Sequence, residues 1–369
     1  MLPGTEDHPH ARAVLTPALP PGGNPNHAYL FHGPAGSGKR EVARELAAAL
    51  LADGAPDPAE AAARVRSGAH PDLTWVAPSG AAEMLVSDVD EPVVAAATRT
   101  PFEARRRVFV IERVDTMNDQ AANRMLKTLE EPPPFAHLVL LTDRPGEVLP
   151  TIASRCQHVR FDARPPGVIA ERLQQRHGVP EATAQACARL CLGDGERALQ
   201  LALGDGPALR EAAETLARAA LADDLAGKPW AALLAHARSA GEQAAREIEA
   251  RTADELEVTA KRDRKRTERE GGERAKRAQR RAQTAVWDLG LQLTGLWLRD
   301  VACVAEGAPE VVHNRDRADR LAADAAGRDP ARLRAAVELV DDTRFRLQLN
   351  VSEELAFEAL AYRLADALS

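Results

Sequence analysis

The chain has 369 residues, of which 45% are hydrophobic, and this is enough for two or three domains with buried cores. Its formal net charge of -7 argues against a protein that coats nucleic acid with positive charge, although a local basic surface remains compatible with it. Aromatic residues account for only 4%, which favours a helix-rich protein over a β sandwich.

The cysteines and the opening residues bear on the cellular compartment. The four cysteines contain no CxxC pair and suggest no disulfide framework, which favours a reducing compartment; they are Cys156, Cys187, Cys191 and Cys303. The first residues, MLPGTEDHPHARAVL, lack an apolar signal core, and no stretch of about 20 apolar residues occurs. The sequence therefore predicts a cytoplasmic protein with no membrane partner.

A phosphate-binding loop is the first motif of the chain. Residues 33–39 read GPAGSGK and lie between a short apolar run and an Ala/Leu-rich helix, which is the setting that a P-loop requires. We expect the backbone N–H groups of this loop and the adjoining helix N-terminus to face phosphate oxygens. The candidate nucleotide-binding residues are Gly33, Gly36, Ser37, Gly38, Lys39 and Arg40.

Two positions depart from the pattern of a hydrolysing P-loop protein. Arg40 stands where a Ser or Thr hydroxyl would meet magnesium. After the apolar strand predicted at 107–111, such a protein carries Asp, often followed by Glu, whereas this chain has Glu112 and Arg113. Arg113 cannot act as a base because a guanidinium does not deprotonate in proteins. We therefore expect no intrinsic ATPase activity, and the sequence leaves open whether ATP binds without being hydrolysed.

The segments that follow carry a family resemblance. Residues 115–134 read DTMNDQAANRMLKTLEEPPP, an apolar strand is predicted at 137–141, and residues 142–161 read TDRPGEVLPTIASRCQHVRF. Together with GAHPDLTWVAP at 68–78, they resemble the clamp-loader branch of the AAA+ ATPases, whose motifs include AAN-x-x-LK-x-LEEPP and SRC. Within that branch the resemblance is to the delta prime subunits of bacterial DNA polymerase III, and it extends to the C-terminal part of the chain.

This resemblance implies a fold class and a domain organisation. The expected fold is α/β plus all-α, with three domains in chain order. They are an AAA+ P-loop module with a parallel sheet at 1–163, a small helical lid at 164–205 and a helical collar at 206–369. Collar helices of separate subunits pack into a ring in this family, so the resemblance also implies a hetero-oligomer.

Two arginines acquire roles from the resemblance. In the SRC triplet of Ser154, Arg155 and Cys156, the arginine would project into the ATP site of a neighbouring subunit. Such a finger stabilises charge on the γ-phosphate and contributes about 10³–10⁵ in rate in other NTPases. The alternative is a surface arginine paired with a nearby carboxylate. Arg197, in the segment LCLGDGERALQLAL, resembles the lid arginine that folds over a triphosphate.

The implied function is that of a stator subunit in the loader that places a ring-shaped sliding clamp on primed DNA. Its expected partners are the tau or gamma ATPase subunits, the delta subunit, primer-template DNA and, indirectly, the sliding clamp. The main alternative is an ATP-hydrolysing motor subunit of the same complex, similar to tau or gamma. A free-standing P-loop kinase is a more distant possibility, since no acceptor-binding motif is visible.

Two further segments are worth noting. Many relatives carry a four-cysteine zinc module before the HPD turn, but residues 51–69 contain no cysteine, so we expect no zinc. The run 261–281 holds eleven Lys and Arg against four acids. It could bind a phosphate backbone or form a solvated helix face or partner contact, and the alternation of charges favours the second interpretation.

Overall fold

The protein is described by a computed structural model that covers residues 2–78, 83–258, 261, 264–347 and 351–369. It divides into two compact units. The first contains Met1–Pro165 and Gly193–Gly195, and the second contains Pro166–Leu192 and Glu196–Ser369. The predicted separation of a lid (164–205) from a collar (206–369) stays a prediction.

A sheet of five parallel strands forms the centre of the first unit. The strands are β1 (Ala28–His32), β2 (Leu73–Val76), β3 (Arg107–Ile111), β4 (Ala136–Thr142) and β5 (Gln157–Arg160). Their order across the sheet is β2-β3-β4-β1-β5, with every neighbouring pair parallel. The strands predicted at 107–111 and 137–141 are therefore confirmed. The loops after β1, β3 and β4 leave from the same edge because parallel strands share their direction.

Both faces of this sheet are covered by apolar side chains. Phe109 and Leu138 lie in the core on one face, whereas Val110 and Val139 lie in the core on the other. Successive side chains of a strand point to opposite faces, so a strand buried on both sides needs a continuous apolar run. Every residue of β4 is buried, as this requires.

Helices cover the sheet of the first unit. They are α1 (Pro9–Leu15), α2 (Lys39–Ala52), α3 (Pro58–Ser67), α4 (Val86–Val89), α5 (Asp119–Glu130) and α6 (Pro150–Ala153). The Asn118 side chain caps α5 by accepting a hydrogen bond from the N–H of Ala121 at 2.9 Å. Met125 and Leu129 bury the inner face of α5, and the prolines at 132–134 prevent its continuation.

The second unit is built from helices. They are α7 (Pro166–His177), α8 (Glu181–Leu190), α9 (Gly195–Ala202), α10 (Gly206–Leu221), α11 (Ala231–Val258), α12 (Arg264–Ala305), α13 (Ala318–Ala325), α14 (Pro330–Leu347) and α15 (Glu353–Leu368). The C-terminal half of α12 contributes Trp297 and Leu298 to their shared core. The predicted combination of an α/β module with all-α structure is confirmed.

The predicted basic run lies mainly on the N-terminal half of α12, while residues 262 and 263 fall outside the described residues. Arg274 pairs with Glu255 of α11 at 2.5 Å, and Arg277 pairs with Glu273 at 3.5 Å. These ion pairs agree with a solvated helix face. Across the part of the chain that the structure describes, no helix is both long and apolar enough to cross a membrane.

Candidate functional site

The P-loop connects β1 to α2, as the sequence predicts. Gly36 and Gly38 have φ angles of 67° and 94°, in the left-handed region that favours glycine. Ser37 between them is buried, and α2 begins at Lys39. The loop therefore has the strand–loop–helix setting and the backbone conformation that its glycines permit.

Lys39 is held by the loop and by a carboxylate. Its Nζ donates hydrogen bonds to the carbonyl oxygens of Gly33 and Pro34, both at 2.7 Å, and to Ser37 Oγ at 3.2 Å. It also forms an ion pair with Asp143 Oδ1 at 2.7 Å, and the Lys39 side chain is only 7% exposed. A carboxylate of the chain thus serves as counter-ion to the lysine that contacts phosphates in nucleotide-loaded P-loops.

Sequence reasoning missed Asp143. This residue directly follows β4, which lies beside β1 in the sheet, so its carboxylate emerges at the same edge as the P-loop. The signal was present in the sequence, because an acidic residue after a buried parallel strand is expected at that edge. The strand order, which brings β4 next to β1, was needed to connect Asp143 with Lys39.

The position expected for magnesium is taken by an ion pair. The guanidinium of Arg40 donates a hydrogen bond to Glu112 Oε2, and the indole Nε1 of Trp75 donates to Glu112 Oε1 at 2.6 Å. The Glu112 side chain is 10% exposed, so the carboxylate is held in a largely dry setting by two donors. Trp75 in turn stacks beneath the Arg44 guanidinium, which lies 4.5 Å from the ring centroid. These residues do not fit a magnesium ion, because a permanent cation already occupies the carboxylate.

Two other side chains pack against the glycines of the loop. A Cβ at Gly36 would overlap the Asp194 carboxylate, and one at Gly38 would overlap the Arg164 guanidinium. Arg164 is nearly buried and pairs with Glu41 of α2 at 3.2 Å. Sequence reasoning missed Arg164 and Asp194, and it offered no signal for either, since they approach the loop from a distant part of the chain.

Arg155 lies in the short connection between α6 and β5. Its Nη2 donates to Glu130 Oε1 at 2.5 Å, and its Nη1 donates to the carbonyl of Thr151 at 2.8 Å and to Ser154 Oγ at 3.4 Å. The side chains of Arg155 and Glu130 are 35% and 49% exposed. The guanidinium is thus ordered by its own chain and still reachable from solvent. The pairing with a carboxylate, which the sequence left as the alternative to a finger, is present, and it is compatible with both interpretations.

The other members of the SRC triplet differ from Arg155 in their surroundings. Ser154 is exposed, whereas Cys156 is buried in the core beneath the sheet. Burial raises the pKa of the Cys156 thiol to about 12, so the sulfur stays protonated and behaves as a small apolar group. Cys156 is therefore a packing residue, whereas Ser154 and Arg155 are accessible from solvent.

Arg197 belongs to the second unit and is engaged there. It donates to Gln292 Oε1 at 2.5 Å and pairs with Asp288, both on α12. Its predicted contact with a triphosphate stays a prediction. Among the described residues, no group of three His, Cys, Asp or Glu side chains is arranged to hold a metal ion. The prediction of no zinc rests on the sequence alone.

The fold and the loop together define the class of protein: a P-loop module built on a parallel α/β sheet. Residues 17–165 match the family model described as DNA polymerase III, delta subunit. The delta prime subunit of DNA polymerase III from Bacillus subtilis is 35% identical over 161 residues, covering 42% of this chain and 48% of that protein. The corresponding subunit from Pseudomonas aeruginosa is 35% identical over 190 residues, covering 50% and 57%. The resemblance to delta prime subunits is therefore confirmed.

The similarity also extends to gamma/tau subunits of DNA polymerase III. The gamma/tau subunit of DNA polymerase III from Mycobacterium tuberculosis (strain ATCC 25618 / H37Rv) is 33% identical over 178 residues, covering 46% of this chain and 30% of that protein. The chain spans about half the length of the two delta prime subunits that it matches. Sequence similarity alone therefore does not separate delta prime from gamma/tau subunits as relatives of this chain, so the side chains at the P-loop are needed to compare the two.

Proposed function

We propose that this protein is a stator subunit of a DNA polymerase III clamp loader, similar to delta prime, that helps to load the sliding clamp on primed DNA. It hydrolyses no ATP in its own P-loop, and Arg155 acts as a finger on the ATP of a neighbouring subunit. The similarity of residues 17–165 to delta prime subunits supports this proposal. A cytoplasmic location follows from a function in bacterial DNA replication.

The observation that carries the proposal is the ion pair between Arg40 and Glu112. In a hydrolysing P-loop protein, the residue at the position of Arg40 supplies a hydroxyl and the residue at the position of Glu112 supplies a carboxylate, and together they hold magnesium. In this chain, the side chains of Arg40 and Glu112 bind each other instead. Both oxygens of Glu112 accept hydrogen bonds from this chain, one from Arg40 and one from Trp75. We therefore assign no hydrolytic step to this P-loop.

Arg155 supplies chemistry that can act outside the chain. Its guanidinium is permanently charged, planar and partly exposed, which suits it to phosphate oxygens that gain negative charge during hydrolysis. Its contacts with Thr151 and Glu130 restrict its rotamers before a neighbour arrives. A finger that is already ordered loses less conformational entropy when it meets the phosphate.

The experiment is an Arg155→Ala substitution in the complex reconstituted with the ATPase subunits. We expect assembly to be retained and the DNA- and clamp-stimulated ATPase to fall about 10³-fold, within the range for other arginine fingers. Arg160→Ala is the matched control, since Arg160 is also exposed and paired with a carboxylate, Asp162, at 3.2 Å. Undiminished stimulated turnover in the Arg155 variant would show that the finger assignment is wrong.

The proposed partners are the tau or gamma ATPase subunits, the delta subunit, primer-template DNA and, indirectly, the sliding clamp, in a hetero-oligomer. Support comes from the C-terminal helices, where Leu355 and Tyr362 are 65% and 57% exposed. These residues are seven apart on α15, so they share one helix face. We propose that this face belongs to a collar that packs on other subunits. Loss of co-purification with the ATPase subunits in a Leu355→Asp, Tyr362→Asp variant would support it.

The second candidate is a motor subunit similar to tau or gamma. The 33% identity with the gamma/tau subunit favours it, and Arg40 together with Arg113 opposes it. The two candidates differ in the activity of the purified chain. Steady magnesium-dependent ATP turnover that disappears in a Lys39→Ala variant would establish the motor and reject the stator.

A further inference from the structure

We propose that Glu130 is a positioning residue for Arg155, so that two side chains of this protein contribute to hydrolysis in the neighbouring subunit. This inference rests on the proposed function of Arg155. It adds a residue whose carboxylate fixes the guanidinium without touching the nucleotide. Glu130 lies 25 positions before Arg155 in the chain, and the fold brings the two side chains together.

The position of Glu130 is set by a well-anchored helix. It is the last residue of α5, whose Met125 and Leu129 are buried in the core, and the prolines that follow stop the helix there. Because α5 ends at Glu130 and cannot extend, the backbone that carries this carboxylate has a defined position. The 2.5 Å hydrogen bond from Arg155 Nη2 to Glu130 Oε1 holds the guanidinium relative to that backbone.

The pattern of hydrogen bonds leaves the guanidinium able to bind a phosphate at the same time. Nη1 contacts Thr151 and Ser154, and Nη2 donates one hydrogen bond to Glu130. An arginine carries five N–H donors in a planar fork. Among the described residues, the Nε–H group and the second N–H of Nη2 of Arg155 donate to no side chain or carbonyl. These two groups can therefore donate to phosphate oxygens while Nη2 stays bound to Glu130.

The exposure of the pair argues that it serves function more than folding. The side chains are 35% and 49% exposed, and ion pairs with this degree of exposure contribute little to stability. Their benefit is geometric, because a long, flexible arginine otherwise samples many rotamers. A catalytic group displaced by a small distance can lose much of its effect on rate.

The test compares Glu130→Ala and Glu130→Gln in the reconstituted complex. We expect Glu130→Ala to lower the kcat of stimulated ATP hydrolysis about 10-fold while the KM for ATP changes less than about 2-fold, because positioning affects the rate of the step more than substrate binding. Glu130→Gln keeps an acceptor oxygen of the same reach and should recover part of the rate. Glu131→Ala is the matched control, since Glu131 is the exposed acidic residue that follows Glu130 at the C-cap of α5.

A double variant separates positioning from a structural effect. Added to Arg155→Ala, the Glu130→Ala change should cause no further loss, because the residue acts only through that arginine. An additional loss of similar size, a failure to assemble that Glu130→Gln shares, or an unchanged kcat in Glu130→Ala would each overturn the inference. If Glu130→Ala has no effect while Arg155→Ala abolishes stimulation, the positioning idea fails alone. If Arg155→Ala also has no effect, the proposed function fails with it.

Discussion

The P-loop and the Arg155 region are both rich in charged side chains, and they use those charges in opposite ways. At the P-loop, the Lys39 and Glu112 side chains are 7% and 10% exposed, and each is paired with a more exposed partner, Asp143 at 48% and Arg40 at 55%. At the second region, the Arg155 guanidinium is paired with Glu130, yet both side chains remain substantially exposed. Charge that is neutralised inside the fold stabilises a shape, whereas charge kept at the surface can act on another molecule.

This difference agrees with the stator function that we propose, because the charges at the P-loop have partners within the chain. In a P-loop, the glycine backbone and the lysine bind phosphate, whereas in this chain Asp143 and Glu112 form ion pairs at the sheet edge. Asp143 and Glu112 provide the sheet edge with internal counter-ions for Lys39 and Arg40. The charged side chains at this edge therefore have partners within the chain and do not need a nucleotide to neutralise them.

The largest expected effect contrasts Lys39→Ala with Arg155→Ala in the same reconstituted complex. Removing the arginine should lower stimulated turnover about 10³-fold, whereas removing the lysine should change it by less than about 2-fold, because in the proposed function only the arginine acts on a reacting phosphate. Steady-state ATPase assays with saturating clamp and primed DNA measure both. A large loss in the Lys39 variant, with assembly intact, would mean that this P-loop takes part in turnover.

A smaller effect is expected when the two ion pairs at the P-loop, Lys39–Asp143 and Arg40–Glu112, are removed. The double change of Arg40→Thr and Asp143→Asn restores a hydroxyl and withdraws the carboxylate that holds Lys39. We expect the affinity for magnesium-ATP to rise about 10-fold or more, since the new hydroxyl and the released Glu112 carboxylate can bind magnesium, and the loss of the Asp143 charge removes a repulsion of the phosphates. Titration with a fluorescent ATP analogue, with and without magnesium, gives the dissociation constants.

The control for this gain is Lys39→Ala in the double-variant background, which should abolish it. Arg144→Gln is a second control, because Arg144 adjoins Asp143 but pairs with Glu147 at 3.3 Å. Unchanged affinity for magnesium-ATP in the double variant would indicate that the two ion pairs do not control nucleotide binding. The charges at the P-loop and at Arg155 would then differ less in function than their exposure suggests.

The P-loop and the strands of the sheet could be predicted from the sequence, whereas the partners of the charged side chains at the P-loop could not. The P-loop and the strands at 107–111 and 137–141 have strong local signals, because glycine spacing and continuous apolar runs reflect short-range physics. The partners of Lys39 and Arg40 depend on which strands are neighbours. The pairing of β1 with β4 sets the place of Asp143, and the pairing of β2 with β3 brings Trp75 beside Glu112. Strand order is a long-range property that local patterns do not carry.

A third prediction compares the stability of the two ion pairs. Arg40→Ala should lower the free energy of unfolding by about 1 kcal/mol, because it leaves the nearly buried Glu112 with a single donor, although the 55% exposed Arg40 side chain limits the loss. Glu130→Ala should cost less than about 0.5 kcal/mol, since both partners at that pair are exposed. Urea denaturation followed by circular dichroism measures both. Equal losses would remove the energetic distinction between the two regions.

The smallest effect concerns Cys156, the neighbour of the finger. Burial raises the pKa of its thiol to about 12, so the thiol stays protonated at pH 8 and lacks the reactive thiolate. A disulfide exchange reagent should therefore label the half-buried Cys303 of the native protein and leave Cys156 unlabelled until the chain unfolds. Cys156→Ala should keep stimulated turnover within about 2-fold of the parent, in contrast to Arg155→Ala, because an apolar replacement preserves the packing that orients the preceding residue, Arg155. Rapid labelling of Cys156, or a loss of turnover comparable to that of the arginine variant, would place chemistry at the sulfur and would contradict the assignment of catalysis to the guanidinium alone.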